Sequence, residues 1–355
     1  MVARARRGAG AQTDSRAGRA GAVEEAGAAA KEGRQNKMSA SLVLFGLVFL
    51  GVGGRAINIT EIATTMPMEI KQHFFGPNLH WHAQSRHVSW NCPHLFALLN
   101  ATKNATVVWP PPKEMPENLR HHFLLDGLAK EQSWYDSNTQ QNGNEQPYEW
   151  TPETMAKFTS DPLGNTCGPF YKSPVCNETM TKHRSLIEGK HGMVIGTMDP
   201  WAEAWLLKSG AASVTTLEYH RIISHVANLS SLHPSELSES FTSGRRFDFI
   251  FTFSSLEHNG LGRWGDPINP WGDLEDIARC HCLLNDGGHL FLGVPVGRDE
   301  VVWNAHRIYG RYRLHLAIKN WRLIDLIGPA PFDALDKPGR WEDQPIIVLQ
   351  KHKGA

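Results

Sequence analysis

The stretch that decides the fold runs from residue 247 to residue 258 and reads FDFIFTFSSLEH. Its first seven residues are mostly phenylalanine and isoleucine, interrupted by Asp248 and Thr252, and this pattern predicts a buried β-strand over Phe247–Phe253. The five residues that follow, Ser254–His258, are mostly polar. Because open parallel sheets bind ligands at the carboxyl ends of their strands, we expect these five residues to border a site.

Short apolar runs alternate with helical stretches on both sides of this strand. The other predicted strands are Met193–Ile195, Ser213–Leu217, His289–Val294, Trp321–Ile327 and Pro345–Gln350. The predicted helices are Trp201–Lys208, His220–Ala227, Leu274–Leu284 and Arg311–Ile318, with a turn at Asn285–Gly288. No clean third strand is predicted between Asn228 and Ser243. The alternation predicts an α/β fold with a doubly wound, mostly parallel sheet, Rossmann-like, covered by helices on both faces.

Two further segments follow predicted strands and are candidates for the same site. Gly196 ends the first strand and opens a helix whose N-terminal amides favour an anionic group. Glu218 ends the second strand, 22 residues after Gly196. An acidic residue at about this spacing binds ribose hydroxyls in nucleotide-binding folds. The alternative for Glu218 is a solvated carboxylate at a strand end.

The run from Gly192 to Gly297 resembles the core of class I S-adenosylmethionine-dependent methyltransferases. Three narrower motifs are similar to the domain of unknown function 268 family: SLEHNGLGRWGDP at 255–267, VPVG at 294–297 and NAHRIY at 304–309. The resemblance implies S-adenosylmethionine as cofactor. Two observations predict the residues that bind this cofactor: the resemblance itself and their positions after the predicted strands. These residues are Gly196, Thr197, Asp199, Glu218, Ser254 and Ser255. The glycine-rich signature is reduced here to Gly196, so a methyltransferase-like fold without the cofactor is the alternative.

Methyl transfer to a hydroxyl needs orientation and a base that removes the proton. His258 is the predicted base and Glu257 orients it, or the two exchange roles; otherwise His258 caps the loop. The predicted substrate-binding residues are Arg263, Trp264, Asp266, His306, Arg307 and Tyr309. For Arg263 and Asp266 the alternative is a salt bridge that orders the loop, and for Tyr309 it is a core position.

The chain contains 18 histidines, and His80, His82, His87 and His94 lie close in sequence to Cys92. Neither zinc-finger spacing nor a His-Glu-x-x-His helix is present, so we predict no metal site. The 36 basic residues balance the 36 acidic ones, which gives no support to a nucleic-acid partner.

The chain is predicted to have four parts. Residues 1–37, rich in Ala, Gly and Arg, are predicted to be a disordered basic leader. Residues 38–56 are predicted to be a signal peptide or a type II membrane anchor, with membrane association through residues 38–54; a buried helix is the alternative. Residues 57–188, where periodicity is poor, are predicted to be an irregular N-terminal extension. Residues 189–355 are predicted to be the methyltransferase-like α/β domain.

Glycosylation sequons and cysteines indicate the cellular compartment in which the protein is expected. Five N-x-S/T sequons favour the secretory pathway: Asn58, Asn100, Asn104, Asn177 and Asn228. The expected location is the ER or Golgi lumen, a type II anchor there, or secretion. Of the five cysteines, Cys167 and Cys176 could close a short disulfide, whereas Cys280 and Cys282 are expected to be two packed thiols.

Together these features predict an S-adenosylmethionine-dependent methyltransferase that acts on a small or glycan-like hydroxyl acceptor. A non-catalytic module that binds a glycan or a protein in the same cleft is the alternative.

Overall fold

The computed structural model describes residues 90–102, 110–136, 146–160, 167–168, 171, 173–328, 335–342 and 344–352, which all belong to one compact unit, Ala56–Ala355. The predictions for residues 1–37 and 38–56, and the sequons at Asn58 and Asn104, lie outside these ranges. Within the described ranges, no helix has the length and apolar character needed to cross a bilayer.

Eight α-helices are found in the described residues. They are α1 Cys92–Thr102, α2 Glu117–Phe123, α3 Pro152–Ser160, α4 Val175–Lys182, α5 Trp201–Lys208, α6 Leu237–Thr242, α7 Gly272–Leu283 and α8 Arg311–Ile318. Short 3₁₀ turns cover Leu125–Gly127, Arg184–Leu186, Pro234–Glu236 and Leu256–His258. The predicted helices at 201–208 and 311–318 are confirmed, and the one predicted at 274–284 is confirmed with its start two residues earlier.

Twelve strands accompany them in the same ranges. They are β1 Lys130–Trp134, β2 Tyr148–Trp150, β3 His191–Ile195, β4 Ser213–Leu217, β5 Ile222–Ser224, β6 Leu229–Leu232, β7 Phe247–Phe253, β8 Leu284–Gly293, β9 Glu300–Asn304, β10 His306–Ile308, β11 Arg322–Ile327 and β12 Ile346–Gln350. The structure places strands at all six predicted positions.

The central sheet has seven strands in the order β11-β12-β8-β7-β3-β4-β6. Neighbours from β8 to β6 are parallel, whereas β12 runs antiparallel to both β8 and β11. The chain starts in the middle at β3, winds outward to β6, then returns to β7 and winds the other way. This reversal is the topological switch point of a doubly wound sheet, so the predicted fold class is confirmed.

Alternate side chains of the central strands enter two separate cores, one on each face of the sheet. Met193 and Ile250 belong to one core, and their neighbours Val194, Phe249 and Phe251 belong to the other. Successive side chains of a strand point to opposite faces, and here both faces are covered by helices. This explains why Phe247–Phe253 is apolar almost throughout.

Two predictions for the segment after β4 are wrong. Residues 220–227 were expected to be helical, but Ile222–Ser224 forms β5, which pairs in parallel with β2. The β-branched pair Ile222 and Ile223 favours a strand once a distant partner is available. The third strand that the sequence did not reveal is β6, which pairs with β4. Its two central serines hide it, because a four-residue edge strand needs few apolar side chains.

The turn expected at Asn285–Gly288 is an irregularity within β8. Leu284 pairs with Phe247 and His289 pairs with Phe249, so the four residues between them bulge out of the ladder. Gly287 has φ +78°, a conformation that glycine adopts readily.

Two disulfides connect distant and local parts of the chain. Cys167–Cys176 forms as the sequence allowed, whereas Cys282 is bonded to Cys92, so the expectation of two packed thiols at 280 and 282 is wrong. Helix α1 packs on α7 and brings Cys92 to the helix that carries Cys282. Cys280, on the same helix, is free and buried.

Candidate functional site

A cavity of about 830 Å³ opens at the carboxyl ends of β3, β4 and β7. Its walls include the loop after β3, Glu218 after β4, and residues 254–260 after β7. Helix α1 and residues of the N-terminal part of the chain close the opposite side. The volume lies within the range of small-molecule sites, and the switch point between β3 and β7 is where such a site is expected.

Gly196 makes the close approach on which the loop after β3 depends. Its φ is +77°, and a Cβ built on it would lie 1.8 Å from Ser255 Oγ. Only glycine therefore fits between β3 and the loop after β7. Gly196 and Ser255 both line the cavity, and Asp199 lies exposed at its edge.

Thr197 also lines the cavity, but its hydroxyl is directed to a buried carboxylate. The hydroxyl donates to Glu203 Oε1, as does that of Thr216 at 2.7 Å. Burial raises the pKa of Glu203 to about 7, and Oε2 of this side chain accepts no hydrogen bond. Glu203 thus ties the loop to β4. The sequence analysis missed it, although a single Glu in the apolar run of residues 201–207 was a signal.

Glu218 stands at the cavity wall, with its side chain 10% exposed. Its Oε1 accepts hydrogen bonds from the backbone amides of Tyr219 at 2.7 Å and His220 at 3.2 Å. These contacts fix the carboxylate at the end of β4. It is therefore not the freely solvated strand-end group of the alternative interpretation.

Tyr171, Ser254 and Glu257 form a hydrogen-bonded chain beside the cavity. Ser254 has φ +51°, which is rare for a residue with a Cβ and is a feature of functional loops. Its hydroxyl donates to Glu257 Oε1 at 2.9 Å, and the Tyr171 hydroxyl bonds to the same serine oxygen. Burial raises the pKa of Tyr171 to about 12. Tyr171 was not predicted from sequence.

Glu257 is almost fully buried, and burial raises the pKa of its carboxyl to about 7. Its Oε2 has no hydrogen-bond partner. A buried carboxyl that titrates near neutral pH at a cavity wall is a feature of sites that transfer protons.

The two ring nitrogens of His258 differ in their hydrogen bonding. Nδ1 lies 2.5 Å from the carbonyl oxygen of Ala305, and since a carbonyl only accepts, Nδ1 carries the proton. Nε2 is then the unprotonated nitrogen, 3.6 Å from Glu257 Oε1. Burial, reinforced by the Arg263 charge, lowers the pKa of His258 to about 3, so the ring is neutral at physiological pH.

Arg263, Trp264 and Asp266 share the loop after β7 and line the cavity, but Arg263 does not pair with Asp266. Its Nη2 donates to Asp136 at 2.8 Å, and its guanidinium lies 5.1 Å from the Trp264 ring centre. Asp266 instead accepts from three backbone amides, those of Gly260, Gly262 and Trp264. Asp266 therefore shapes the loop, and Arg263 holds the N-terminal part of the chain.

The last three predicted substrate-binding residues, which follow β9 in the chain, differ in their positions relative to the cavity. His306 lines the cavity, and burial lowers its pKa to about 4. Arg307 and Tyr309 do not line it. Arg307 is fully buried and donates to the carbonyl oxygens of Glu257 at 3.3 Å and of Asn269 at 3.2 Å. Neither residue therefore faces the cavity as predicted, and Arg307 instead braces the loop after β7.

Tyr309 is equally buried, and its hydroxyl donates to Asp273 Oδ2 at 2.6 Å. This is the core position that the sequence analysis gave as the alternative. Of the histidines that lie close in sequence to Cys92, His80, His82 and His87 lie outside the described residues, and Cys92 itself is in a disulfide.

Comparison with known proteins agrees with the resemblance in the sequence. The sequence model of the family described as "Caenorhabditis protein of unknown function, DUF268" matches residues 189–329, a span that contains all three quoted motifs. No curated protein matches the chain at significant similarity.

Many solved structures are similar at low identity, among them the three that follow. The N-methyltransferase NodS from Bradyrhizobium japonicum WM9, in complex with S-adenosyl-L-homocysteine, is 12% identical, with a TM-score of 0.35 over 56% of this chain and 97% of that one. The 1,6-didemethyltoxoflavin-N1-methyltransferase of Burkholderia thailandensis is 14% identical, with a TM-score of 0.35 over 59% and 93%.

The structure of SMU.776 in complex with S-adenosylhomocysteine is 10% identical, with a TM-score of 0.32. The match covers 48% of this chain and about half of SMU.776, 49%. The fold assignment rests on the strand order of the sheet and not on these similarities. Residues 189–329 therefore carry the DUF268 sequence signature, and their central strands belong to a doubly wound, Rossmann-like sheet.

Proposed function

We propose that this protein is an S-adenosylmethionine-dependent methyltransferase that acts on a small or glycan-like hydroxyl acceptor in the secretory pathway. The observation that carries the proposal is the position of Glu218 and His258. They lie on opposite sides of the switch point and line one cavity. One half of the cavity thus offers a carboxylate suited to ribose hydroxyls, and the other offers an unprotonated imidazole nitrogen.

The residues of the first half fit the cofactor. Gly196 keeps the loop after β3 free of a side chain where β3 meets Ser255, and the Glu218 carboxylate is held by two backbone amides. When bound, S-adenosylmethionine supplies an electrophilic methyl group on a sulfonium. The cofactor would be bordered by five residues of this half: Gly196, Thr197, Asp199, Ser254 and Ser255.

In the second half, Nε2 of His258 would accept the proton of the acceptor hydroxyl. With its proton held at Nε2, the acceptor oxygen would be the nucleophile for the methyl group that the cofactor would supply. Ala305 holds the ring in the tautomer that this role requires. Ionised Glu257, 3.6 Å from Nε2, stabilises the imidazolium that forms.

Calorimetric titration of S-adenosylmethionine and S-adenosylhomocysteine into the full chain, produced with its disulfides, tests the cofactor half. We expect saturable binding that Glu218→Ala weakens at least tenfold. Glu188→Ala is the matched control, because Glu188 is an exposed carboxylate away from the cavity. Folded protein that binds neither compound would contradict the proposal and favour a non-catalytic module that binds a glycan or a protein.

Turnover in His258→Gln tests the catalytic half. We expect a loss of about 10²- to 10⁴-fold in turnover, the usual contribution of a general base, with cofactor affinity unchanged. Because burial lowers the pKa of His258 to about 3, titration of this ring should contribute no inflection to the wild-type rate near neutral pH. An inflection near pH 7 is expected from Glu257 and should vanish in Glu257→Gln.

The two disulfides support the secretory location, since such bonds persist mainly in oxidising compartments. Asn100 and Asn228 are exposed within their sequons, so both are accessible to glycosylation. An enzymatic deglycosylation shift that Asn228→Gln reduces is expected. Fully unglycosylated protein from a secretory host would contradict the location. Membrane association through residues 38–54 belongs to the same proposal, and fractionation of the full chain with membranes tests it.

A further inference from the structure

Among the residues that the structure describes, three large apolar side chains are exposed, and all three line the same cavity. They are Leu98, 38% exposed, Trp134, 59% exposed, and Trp341, 37% exposed. Isolated exposed apolar residues are ordinary on a protein surface, but here they are collected at one cavity. A ligand that covers them would remove their apolar area from water.

Both tryptophans are connected to the loop after β7, which contains His258. Trp341 packs edge to face on Tyr171, with ring centres 5.4 Å apart, and Tyr171 bonds to Ser254. Trp134 ends β1, two residues before Asp136, which pairs with Arg263. Each exposed tryptophan is therefore linked through one neighbour to the loop that holds the predicted base.

Polar groups line the cavity together with these rings. Asp136 is 37% exposed and Arg263 is 19% exposed. The Nε of Arg263 has no hydrogen-bond partner. His306, also at the cavity wall, is kept neutral by burial, so its ring can both donate and accept hydrogen bonds.

We propose that Trp134 and Trp341 are stacking platforms for the pyranose rings of a glycan acceptor. A pyranose has C–H faces that pack on aromatic rings and hydroxyls at its edge that require donors and acceptors. The cavity presents both kinds of group side by side. An acyl chain would use the tryptophans but would leave Asp136 and Arg263 facing hydrocarbon, which is unfavourable.

This inference rests on the proposed function, because it identifies the hydroxyl acceptor of the same cavity. It also assigns specificity to parts of the chain outside residues 189–329. Trp134 and Asp136 precede the segment that the family model matches, and Trp341 follows it. Acceptor choice would therefore depend partly on residues outside that segment.

The test is calorimetry of the full chain with linear tetrasaccharides of glucose, mannose and N-acetylglucosamine, each with and without S-adenosylhomocysteine. We expect at least one tetrasaccharide to bind. Trp134→Ala and Trp341→Ala should each weaken that binding about tenfold or more, and Trp134→Phe, which keeps a ring, should retain most of it. Trp205→Phe is the control, because Trp205 packs on the core and does not line the cavity.

The outcomes separate this inference from the proposed function. If S-adenosylhomocysteine binds but no saccharide does, or if the alanine variants bind saccharide like the wild type, the platform is overturned and the methyltransferase proposal stands. If saccharide binding depends on both tryptophans but no cofactor binds, the platform stands and the methyltransferase proposal fails. Tryptophan-dependent binding of phosphatidylcholine vesicles without saccharide binding would also overturn the platform.

Discussion

Arg263 and Asp136 are 127 residues apart in the chain, yet Nη2 of the arginine lies 2.8 Å from Oδ2 of the aspartate. The backbone amide of Asp136 also donates to Asn304 Oδ1 at 2.9 Å. Strand β1, which ends just before, pairs in parallel with β9. The segment containing Trp134 is therefore fixed to the loop that carries His258 and to β9, which is followed by His306 at the start of β10.

Asp136→Asn should loosen this attachment. The variant keeps the backbone contact to Asn304 but loses the charge that faces Arg263. Because Asp136 is 37% exposed, we expect a cost of only about 1 kcal/mol in the free energy of unfolding, measured by urea denaturation. A double-mutant cycle with Arg263→Gln should return a coupling of similar size. Additive single effects would show that the pair contributes nothing.

Gly196→Ala should destabilise the protein and weaken cofactor binding. The substitution combines a strained φ of +77° with a contact of 1.8 Å to Ser255 Oγ. Gly244→Ala is the matched control, because Gly244 has φ +83° but nothing within 4 Å of an added Cβ. We expect about 1 kcal/mol lost in the control and more at Gly196, measured by thermal unfolding. Equal losses would contradict the close approach.

Glu203→Gln should flatten the dependence of stability on pH. Burial raises the folded-state pKa of Glu203 from 4.5 to about 7, so folding disfavours its ionised form. The folded state then holds a proton that the unfolded chain releases, and stability falls as the pH rises from about 4.5 to 7. The full penalty above pH 7 is about 3 kcal/mol.

Thermal unfolding at pH 5 and pH 8 measures this effect. The difference between the two pH values should be smaller in Glu203→Gln than in the wild type. Glu188→Gln, which alters an exposed carboxylate, should behave like the wild type. Indistinguishable differences in all three proteins would show that Glu203 ionises normally in the fold.

Cys92→Ser should destabilise the protein more than Cys280→Ser. The Cys92–Cys282 bond closes a loop with a sequence separation of 190 residues and ties α1 to α7. Losing such a bond usually costs 2–5 kcal/mol, roughly, whereas Cys280 is free and its substitution by serine leaves both disulfides in place. Peptide mass mapping of the unreduced protein checks the pairing, and a Cys92–Cys280 bond would contradict it.

The sequence predicted much of the central sheet, because apolar periodicity is a property of consecutive residues. The strands Phe247–Phe253 and Ser213–Leu217, and the helix Trp201–Lys208 between sheet strands, were all located in this way. It did not predict β5 or β6, because both are short and depend on distant partners, β2 and β4. Local preference decides little where a strand has only three or four residues.

The residues of the candidate site also fall into two groups, those that the sequence predicted and those that it did not. Residues that directly follow predicted strands, such as Gly196, Glu218 and His258, were identified because parallel strands bring their carboxyl ends to one edge. Tyr171, Trp134 and Trp341 follow no predicted strand of the central sheet and have no local signature. Only the folded chain places them at the cavity.

By itself, the sequence determined the doubly wound fold, the order of its main elements and the loops that border the site. The tertiary structure alone decided that Arg307 braces the loop after β7, that Tyr309 bonds to Asp273, that Arg263 pairs with Asp136, and that Cys282 bonds to Cys92. The physical reason is that strand and helix periodicity is encoded by near neighbours. Contacts between distant segments depend instead on how whole elements pack, and many sequence positions offer the same charge or thiol.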